Sequence, residues 1–280
     1  MPQITTGDAV ELYYEDHGVG RPVVLLQGYP LDGAAWEPQT LALLDAGYRV
    51  VTLDRRGFGR SSRVATSFGY DELADDVAAL LDHLDLTDVT LVGFSMGTAE
   101  VTRYVGRHGT GRLRSAVMLA AFGPGLLAGA DGIGFPPSVF DGIRDAIRSD
   151  RHQYLENYFL QHYVAEQNLG TRVSAPTLTA NATVGAAASP SAMLHCVAAW
   201  KEDFRADLPQ IDVPLLVLHG TEDRNIPIDI GARRIPAFVP TATIIEVDGG
   251  PHGIGVTHSE VVNPALLAFL ADDTHGEASA

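Results

Sequence analysis

The sequence predicts an α/β protein built on a mostly parallel sheet with helices on both faces. Three observations predict it. Short apolar runs ending in Gly, Asp or Ser recur along the chain, helix-period stretches lie between them, and one long central region carries helical patterns alone. The runs are "PVVLLQG", "YRVVTLD", "VTLVGFS", "RSAVMLAAF", "PLLVLHG" and "ATIIEVDG". Continuous apolar runs of this length fit strands buried on both faces, which is how strands of a parallel sheet lie. Before them, "AVELYYE" sets Val10, Leu12 and Tyr14 on one side with period two, the mark of a half-buried edge strand. Leu73, Val77, Leu80, Leu81 and Leu84 recur at helical spacing with acids opposite. "THSE" (257–260) has capping-box spacing and is expected to open the last helix, through "VVNPALLAFLA". Alternating strands and helices give layers with the sheet in the middle.

Residues 123–203 break the alternation. "SVFDGIRDAIRSDRHQYLENYFLQHYV" is helical in pattern, and "SAPTLTANATVGAAASPSA", rich in small residues, reads as helix and turn. The expected organisation is therefore a core of residues 1–122 and 204–272, a helical insertion over 123–203, and a polar, frayed tail over 273–280.

Composition narrows the function classes. Hydrophobic residues make up 46% and charged residues 19% of the 280, which describes a globular chain. The net charge of −16 repels phosphate backbones, so nucleic acid is not an expected partner. The acid is dispersed and reads as a solvated surface. No apolar run reaches the roughly 18 residues of a membrane span, and "MPQITTGDAVELYY" lacks the basic-then-apolar pattern of a secretory signal. One cysteine, Cys196, cannot make an internal disulfide, so a reducing, cytoplasmic location is expected. In "MLHCVAAW" it reads as a small buried hydrophobe. The ten histidines include no H-x-H or H-E-x-x-H, so neither metal nor other cofactor is expected.

The chemistry begins at "LVGFSMG". A bare G-x-S-x-G can be a glycine-rich turn with a capping serine. Here Gly93 to Gly97 follow a strand and precede the helical "TAEVTRYVGRH", and strand, motif and helix together mark a nucleophile elbow with Ser95 at its tip. A serine hydroxyl needs a base, and the base needs an orienting acid; after a nucleophile elbow they follow in the chain order Ser, acid, His. Downstream, "LLVLHGTEDRNIP" presents Glu222 and Asp223 after one strand, and "IIEVDGGPHGIG" presents His252 after the next. Asp223 lies one residue deeper in its loop than Glu222 and is the expected acid. Taken singly, Asp223 reads equally as a turn residue and His252 as a loop histidine; three strand ends in the required order favour a triad.

Attack on a carbonyl creates an oxyanion, which needs backbone N–H donors. One is expected from Met96, after the nucleophile. The other is expected from Tyr29, in the "QGYP" loop that ends an early strand, through its amide and not its phenol.

The stretches "YYEDHGVGRPVVLLQGYPLDGAAW", "LDRRGFGRSS", "LVGFSMGTAEVTRY", "DFRADLPQIDVPLLVLHGTEDRNIP" and "GGPHG" resemble the cofactor-free bacterial haloperoxidases, or perhydrolases, of the α/β-hydrolase superfamily. The resemblance covers almost the whole chain and is loosest over 123–203. It implies an α/β-hydrolase fold with a helical cap, a triad of Ser95, Asp223 and His252, no metal and no haem, and frequent trimers. It also implies pocket walls at Trp36, Phe94, Met96 and Trp200, and Asp54, Arg56 and Gly59 as stabilisers of the loop beneath the site. Two positions depart from the family, which usually has His at 27 and Phe at 29, where this chain has Gln27 and Tyr29. Glutamine keeps a donor and an acceptor, so the exchange is either structural or a retuning of the pocket by Gln27 or the Tyr29 hydroxyl. Asp32, where serine is more usual, fits either account and also reads as a helix-entry cap.

The expected activity is hydrolysis of a small ester or acyl substrate through an acyl-enzyme, with hydrogen peroxide as a second acceptor. Two alternatives stand: a member recruited to a biosynthetic step as lactonase, cyclase or C–C hydrolase, and a ligand-binding protein that retains the triad.

Overall fold

The computed structural model describes residues 2–272; the polar tail lies outside the described residues. Eight strands form one sheet: β1 (Gln3–Thr5), β2 (Glu11–His17), β3 (Pro22–Leu26), β4 (Arg49–Leu53), β5 (Val89–Phe94), β6 (Leu113–Leu119), β7 (Leu215–Gly220) and β8 (Thr243–Val247). Their order is β1-β2-β4-β3-β5-β6-β7-β8. The first two strands run antiparallel at one edge, and every pairing from β4 to β8 is parallel.

The apolar runs become strands because their alternate side chains feed two separate cores. Val23, Leu25, Val50, Val92, Val117 and Leu218 enter one apolar cluster, while Val24, Leu26, Val51, Leu91, Met118 and Val217 enter the other. A one-residue slip in register would exchange the two sets. β8 departs from the sequence expectation. It is an edge strand with its first four residues partly or fully exposed and only Val247 buried, and no further strand pairs with its outer side among the described residues.

Flanking the sheet are α1 (Glu37–Asp45), α2 (Tyr70–His83) and α3 (Met96–His108) from the first half of the chain, with α9 (Ile254–Thr257) and α10 (Ser259–Ala271) from its end. α2 packs on α3, and α1 packs on α10. The expected capping box does not form. Thr257 ends α9 instead, its hydroxyl donating to the Gly253 carbonyl, and His258 occupies the N-cap of α10 with its Nδ1 beside the Thr257 hydroxyl (2.9 Å) and no side-chain bond to the helix amides.

The intervening segment holds α4 (Pro137–Ser149), α5 (Arg151–His162), α6 (Ala165–Asn168), α7 (Ala175–Ala187) and α8 (Pro190–Ala199). Its breaks fall at small polar caps: Asp150 accepts from the His152 and Gln153 amides, Ser174 from Thr177, and Ser189 from Ala192. Phe140, Ile147, Leu155, Phe159, Met193 and Val197 join the same apolar cluster as Tyr29, Phe94 and Trp200. The helical segment therefore shares its apolar cluster with the loops at the strand ends. No single helix among the described residues is long and apolar enough to cross a membrane.

Candidate active site

β5 ends at Phe94, and Ser95 turns the chain straight into α3. Ser95 has φ +52° and ψ −116°, a strained conformation for a residue with a side chain. The turn is held from below, where the Ser95 amide donates to the Leu119 carbonyl (2.8 Å) and the Thr98 hydroxyl donates to the Ser95 carbonyl (2.6 Å). The flanking glycines are needed for close approach. A Cβ on Gly97 would stand 2.2 Å from the Leu26 carbonyl oxygen, and one on Gly93 would stand 2.4 Å from the Gly97 carbonyl oxygen.

The other two groups come from loops after β7 and β8, which touch. The Glu222 amide donates to the Gly250 carbonyl (2.9 Å), and a Cβ on Gly220 would meet the Gly250 carbonyl oxygen at 2.0 Å. Glu222 itself is exposed, whereas Asp223 and His252 are buried. His252 Nδ1 donates to Asp223 Oδ2 (2.6 Å), and Ser95 Oγ donates to His252 Nε2 (2.8 Å). That is the geometry of a nucleophile, a base and an orienting acid.

Asp223 keeps its charge despite burial. Burial alone would raise its pKa, but the neighbouring His252 and the hydrogen bonds from His219 and His252 hold it below the ordinary carboxylate range. Its Oδ1 also accepts from the Asn225 and Ile226 amides (2.9 and 2.8 Å). His219, fully buried, was not singled out in the sequence. The Ala121 amide donates to its Nδ1 (3.1 Å), so its proton sits on Nε2, facing the Ile226 carbonyl (2.8 Å) and Asp223 Oδ2 (3.2 Å). The strand-end "LHG" was the available signal.

The two expected oxyanion donors come from the start of α3 and from the loop after β3. Met96 is the first residue of α3, where backbone N–H groups have no helical acceptor. In the early loop the turn bond runs from the Leu31 amide to the Gly28 carbonyl (3.0 Å), and the Tyr29 amide is not used in it. Two groups hold this loop. The Tyr158 hydroxyl on α5 donates to the Tyr29 carbonyl (2.8 Å), and the Arg55 guanidinium, paired with buried Glu100, donates to the Gln27 carbonyl. Neither Tyr158 nor Arg55 was identified from sequence, since a contact from a distant helix leaves no local pattern.

Tyr158→Phe removes one hydrogen bond, worth roughly 1 kcal/mol net. It should lower kcat for an aryl acetate about three- to tenfold, with KM changed less, because it loosens the Tyr29–Pro30 peptide next to the amide expected to receive the oxyanion. Steady-state kinetics on the purified variant checks this.

Ser95 and His252 lie at the base of a cavity of about 250 Å³. Phe122, Leu126, Phe140, Ile143 and Trp200 wall it, and the exposed polar Asn157, Gln161 and Arg224 border it. Of the residues expected to touch substrate, Trp200 lines this cavity. Trp36 and Phe94 do not: they line a second cavity beside it, because Phe94 turns its ring toward Trp36 (centroids 6.2 Å apart, edge to face). Gln27 lines neither and is 1% exposed, its peptide fixed by the Arg55 contact. The Tyr29 ring is likewise buried, edge-on to Trp200 at 4.8 Å.

Beneath the site, Asp54 accepts from the Gly33 and Arg60 amides (both 2.8 Å), and Gly59, at φ +50°, leaves room for that carboxylate. Arg56 bridges Asp76 and Asp8, and Asp32 caps the turn that leads to α1 by accepting from Ala34 (3.1 Å). Cys196 is buried, and burial pushes its thiol up to about 12, so it offers no thiolate.

A serine nucleophile on a strained elbow, at the carboxyl ends of a parallel sheet, with its histidine and aspartate following in the chain, defines a serine hydrolase. The chain belongs to the alpha/beta hydrolase fold family, whose model matches residues 21–258, and within it to the non-heme haloperoxidase and perhydrolase group. It is 41% identical to a non-heme chloroperoxidase from Kitasatospora aureofaciens, over 96% of this chain and 99% of that one. It is 33% identical to a bifunctional esterase/perhydrolase from Acinetobacter calcoaceticus, with the same coverage. A bromoperoxidase from Bacillus anthracis superposes with a TM-score of 0.91 at 39% identity, over 94% of this chain and 96% of that one.

Proposed function

We propose that the protein is an esterase and perhydrolase that transfers a small acyl group through Ser95. The observation that carries this reading is the unbroken hydrogen-bond line from Ser95 Oγ through His252 to Asp223. Ser95 Oγ attacks the ester carbonyl while His252 Nε2 takes its proton. Asp223 holds the imidazolium, and the Tyr29 and Met96 amides receive the oxyanion. Collapse expels the alcohol, which leaves with the proton from His252. The acyl-enzyme is then resolved by an acceptor whose proton His252 removes. Residues 1–122 and 204–272 serve as the catalytic core, and 123–203 as the cap that selects the acyl group. The apolar walls of the cavity support a small, largely apolar acyl substrate.

With water as acceptor the product is the acid. With hydrogen peroxide it is the peracid, which oxidises bromide in solution to hypobromous acid and returns the carboxylic acid. Halide oxidation by this route needs no halide site on the protein. The test is bromination of a chromogenic dione with peroxide and bromide, first in acetate buffer and then in carboxylate-free phosphate. Acetic acid acylates Ser95 with loss of water, so bromination is expected in acetate, absent in phosphate, and lost in Ser95→Ala. Bromination that persists in phosphate would show that the oxidant is not a peracid.

A further inference from the structure

Arg55 follows β4 and is 3% exposed, an uncommon place for a guanidinium. Its donors reach two different segments. Nε donates to the Glu100 carboxylate, and Nη2 donates to the Gln27 carbonyl. Glu100, also 3% exposed, sits on α3 about one helical turn after Met96, the residue expected to supply one oxyanion donor. Gln27 opens the loop whose Gly28–Tyr29 peptide carries the other. One guanidinium therefore ties together the two segments expected to receive the oxyanion.

Packing alone does not lock these segments to each other. The last paired residues of β3 and β5 are Leu26 and Gly93. Beyond them the two chains still run close. A Cβ on Gly28 would stand 3.1 Å from the Ser95 Cβ, and one on Gly97 would stand 3.2 Å from the Gln27 carbonyl oxygen. Such contacts limit how near the chains can come, but dispersion resists their sliding apart only weakly. A guanidinium resists it better. Its donors lie in one rigid plane, so fixing Nε against Glu100 also fixes the direction in which Nη2 points. Burying both charges carries a desolvation cost that an apolar pair of similar size would avoid, so stability alone gives no reason for this pair.

We propose that Arg55 and Glu100 are positioning residues for the reaction, which together set the spacing and aim of the two oxyanion donors. The proposal rests on the reading of the Tyr29 and Met96 amides as those donors. Glu100 belongs to the same helix as Met96, and Arg55 carries the position of that helix across to the Gln27 carbonyl, one peptide before the Gly28–Tyr29 peptide. Neither side chain lines the cavity that holds Ser95, so both act through the backbone and not on substrate. The two N–H groups then stand in place before charge develops on the carbonyl oxygen, and none of the barrier is spent on bringing them together.

The test uses the full chain and the double variant Arg55→Met/Glu100→Leu, which removes the link without leaving either charge buried alone, an exchange that proteins commonly tolerate. It should keep native circular dichroism. Its kcat and kcat/KM for 4-nitrophenyl acetate should fall together, about tenfold, the pattern of an interaction made only in the transition state. Two inhibitors separate aim from general loosening. Benzyl trifluoromethyl ketone forms a hemiketal with the serine and puts charge on its oxygen, whereas benzyl methyl ketone binds as the ketone. Affinity for the first should fall about tenfold and affinity for the second should stay within about twofold. Arg55→Lys keeps Glu100 paired but offers one nitrogen in place of a planar fork, so it should show the same pattern at about threefold, and it decides the matter if the double variant does not fold. Native kcat with native trifluoromethyl ketone affinity in a folded variant, or equal losses for both ketones, would overturn the assignment. Failure of the underlying reading looks different: the native protein itself would bind the two ketones alike and give no hemiketal resonance in its fluorine NMR spectrum.

Discussion

Ser95→Ala and His252→Ala should each lower kcat for 4-nitrophenyl acetate by about three orders of magnitude or more, and the double variant should be scarcely worse than either. The reason is the shared proton. His252 Nε2 accepts from Ser95 Oγ at 2.8 Å, so removing either group removes the same step, and the two losses cannot add. What survives comes from binding and the oxyanion donors. The fold should tolerate both changes, since the elbow is held by backbone bonds to Leu119 and by Thr98, none of which uses the Ser95 hydroxyl. A fluorophosphonate should label the native protein at Ser95 and leave Ser95→Ala unlabelled. Retention of most turnover by Ser95→Ala, in a sample with native circular dichroism, would remove Ser95 as the nucleophile.

Asp223→Asn should cost about ten-thousandfold in kcat, although it changes one atom. Asp223 Oδ1 accepts from two backbone amides, Asn225 and Ile226, and Oδ2 accepts from His252 Nδ1. An asparagine here must keep its oxygen toward the two amides, because turning the amide over would set its N–H groups against theirs. Its NH2 then faces His252 Nδ1, which must become an acceptor. The imidazole proton moves to Nε2, and Nε2 can no longer accept from Ser95. The variant should therefore fold and still bind substrate while almost losing turnover. Asp223 itself stays ionised to well below the ordinary carboxylate range, so mild acidification of the native protein does not remove its charge. A fall of less than tenfold in Asp223→Asn would mean that another group orients the histidine.

Where function depends on local chain geometry, the sequence was legible. Alternating strand and helix patterns prescribe where a parallel sheet ends, and the loops at those ends must then carry Ser95, Asp223 and His252. The glycines around Ser95 report two backbone approaches that no side chain tolerates. The legibility fades where contacts span the chain. The Tyr158 contact joins α5 to a loop more than a hundred residues earlier, and nothing near position 158 in sequence announces this. Trp36 and Phe94 show a different difficulty. An aromatic residue next to a catalytic loop can face either of two cavities, and side-chain rotation decides which. The capping-box reading of "THSE" failed for a similar reason. The spacing was right, but Thr257 already closes α9, leaving no free turn for it to cap.

The bond from the Tyr158 hydroxyl to the Tyr29 carbonyl has a consequence for how this lineage can diversify. The helical segment is the obvious part to exchange when a new specificity is wanted, since it supplies most of the acyl cavity's wall. Here that same segment also reaches down to hold the Tyr29–Pro30 peptide, next in the chain to the amide proposed to receive the oxyanion. A graft that recreates the cavity's shape but lacks a hydroxyl at this point would shift preference and lose speed in one stroke. Chimeras should therefore fall into two groups, fast and slow, sorted by that one donor and not by how well the new pocket fits its ester.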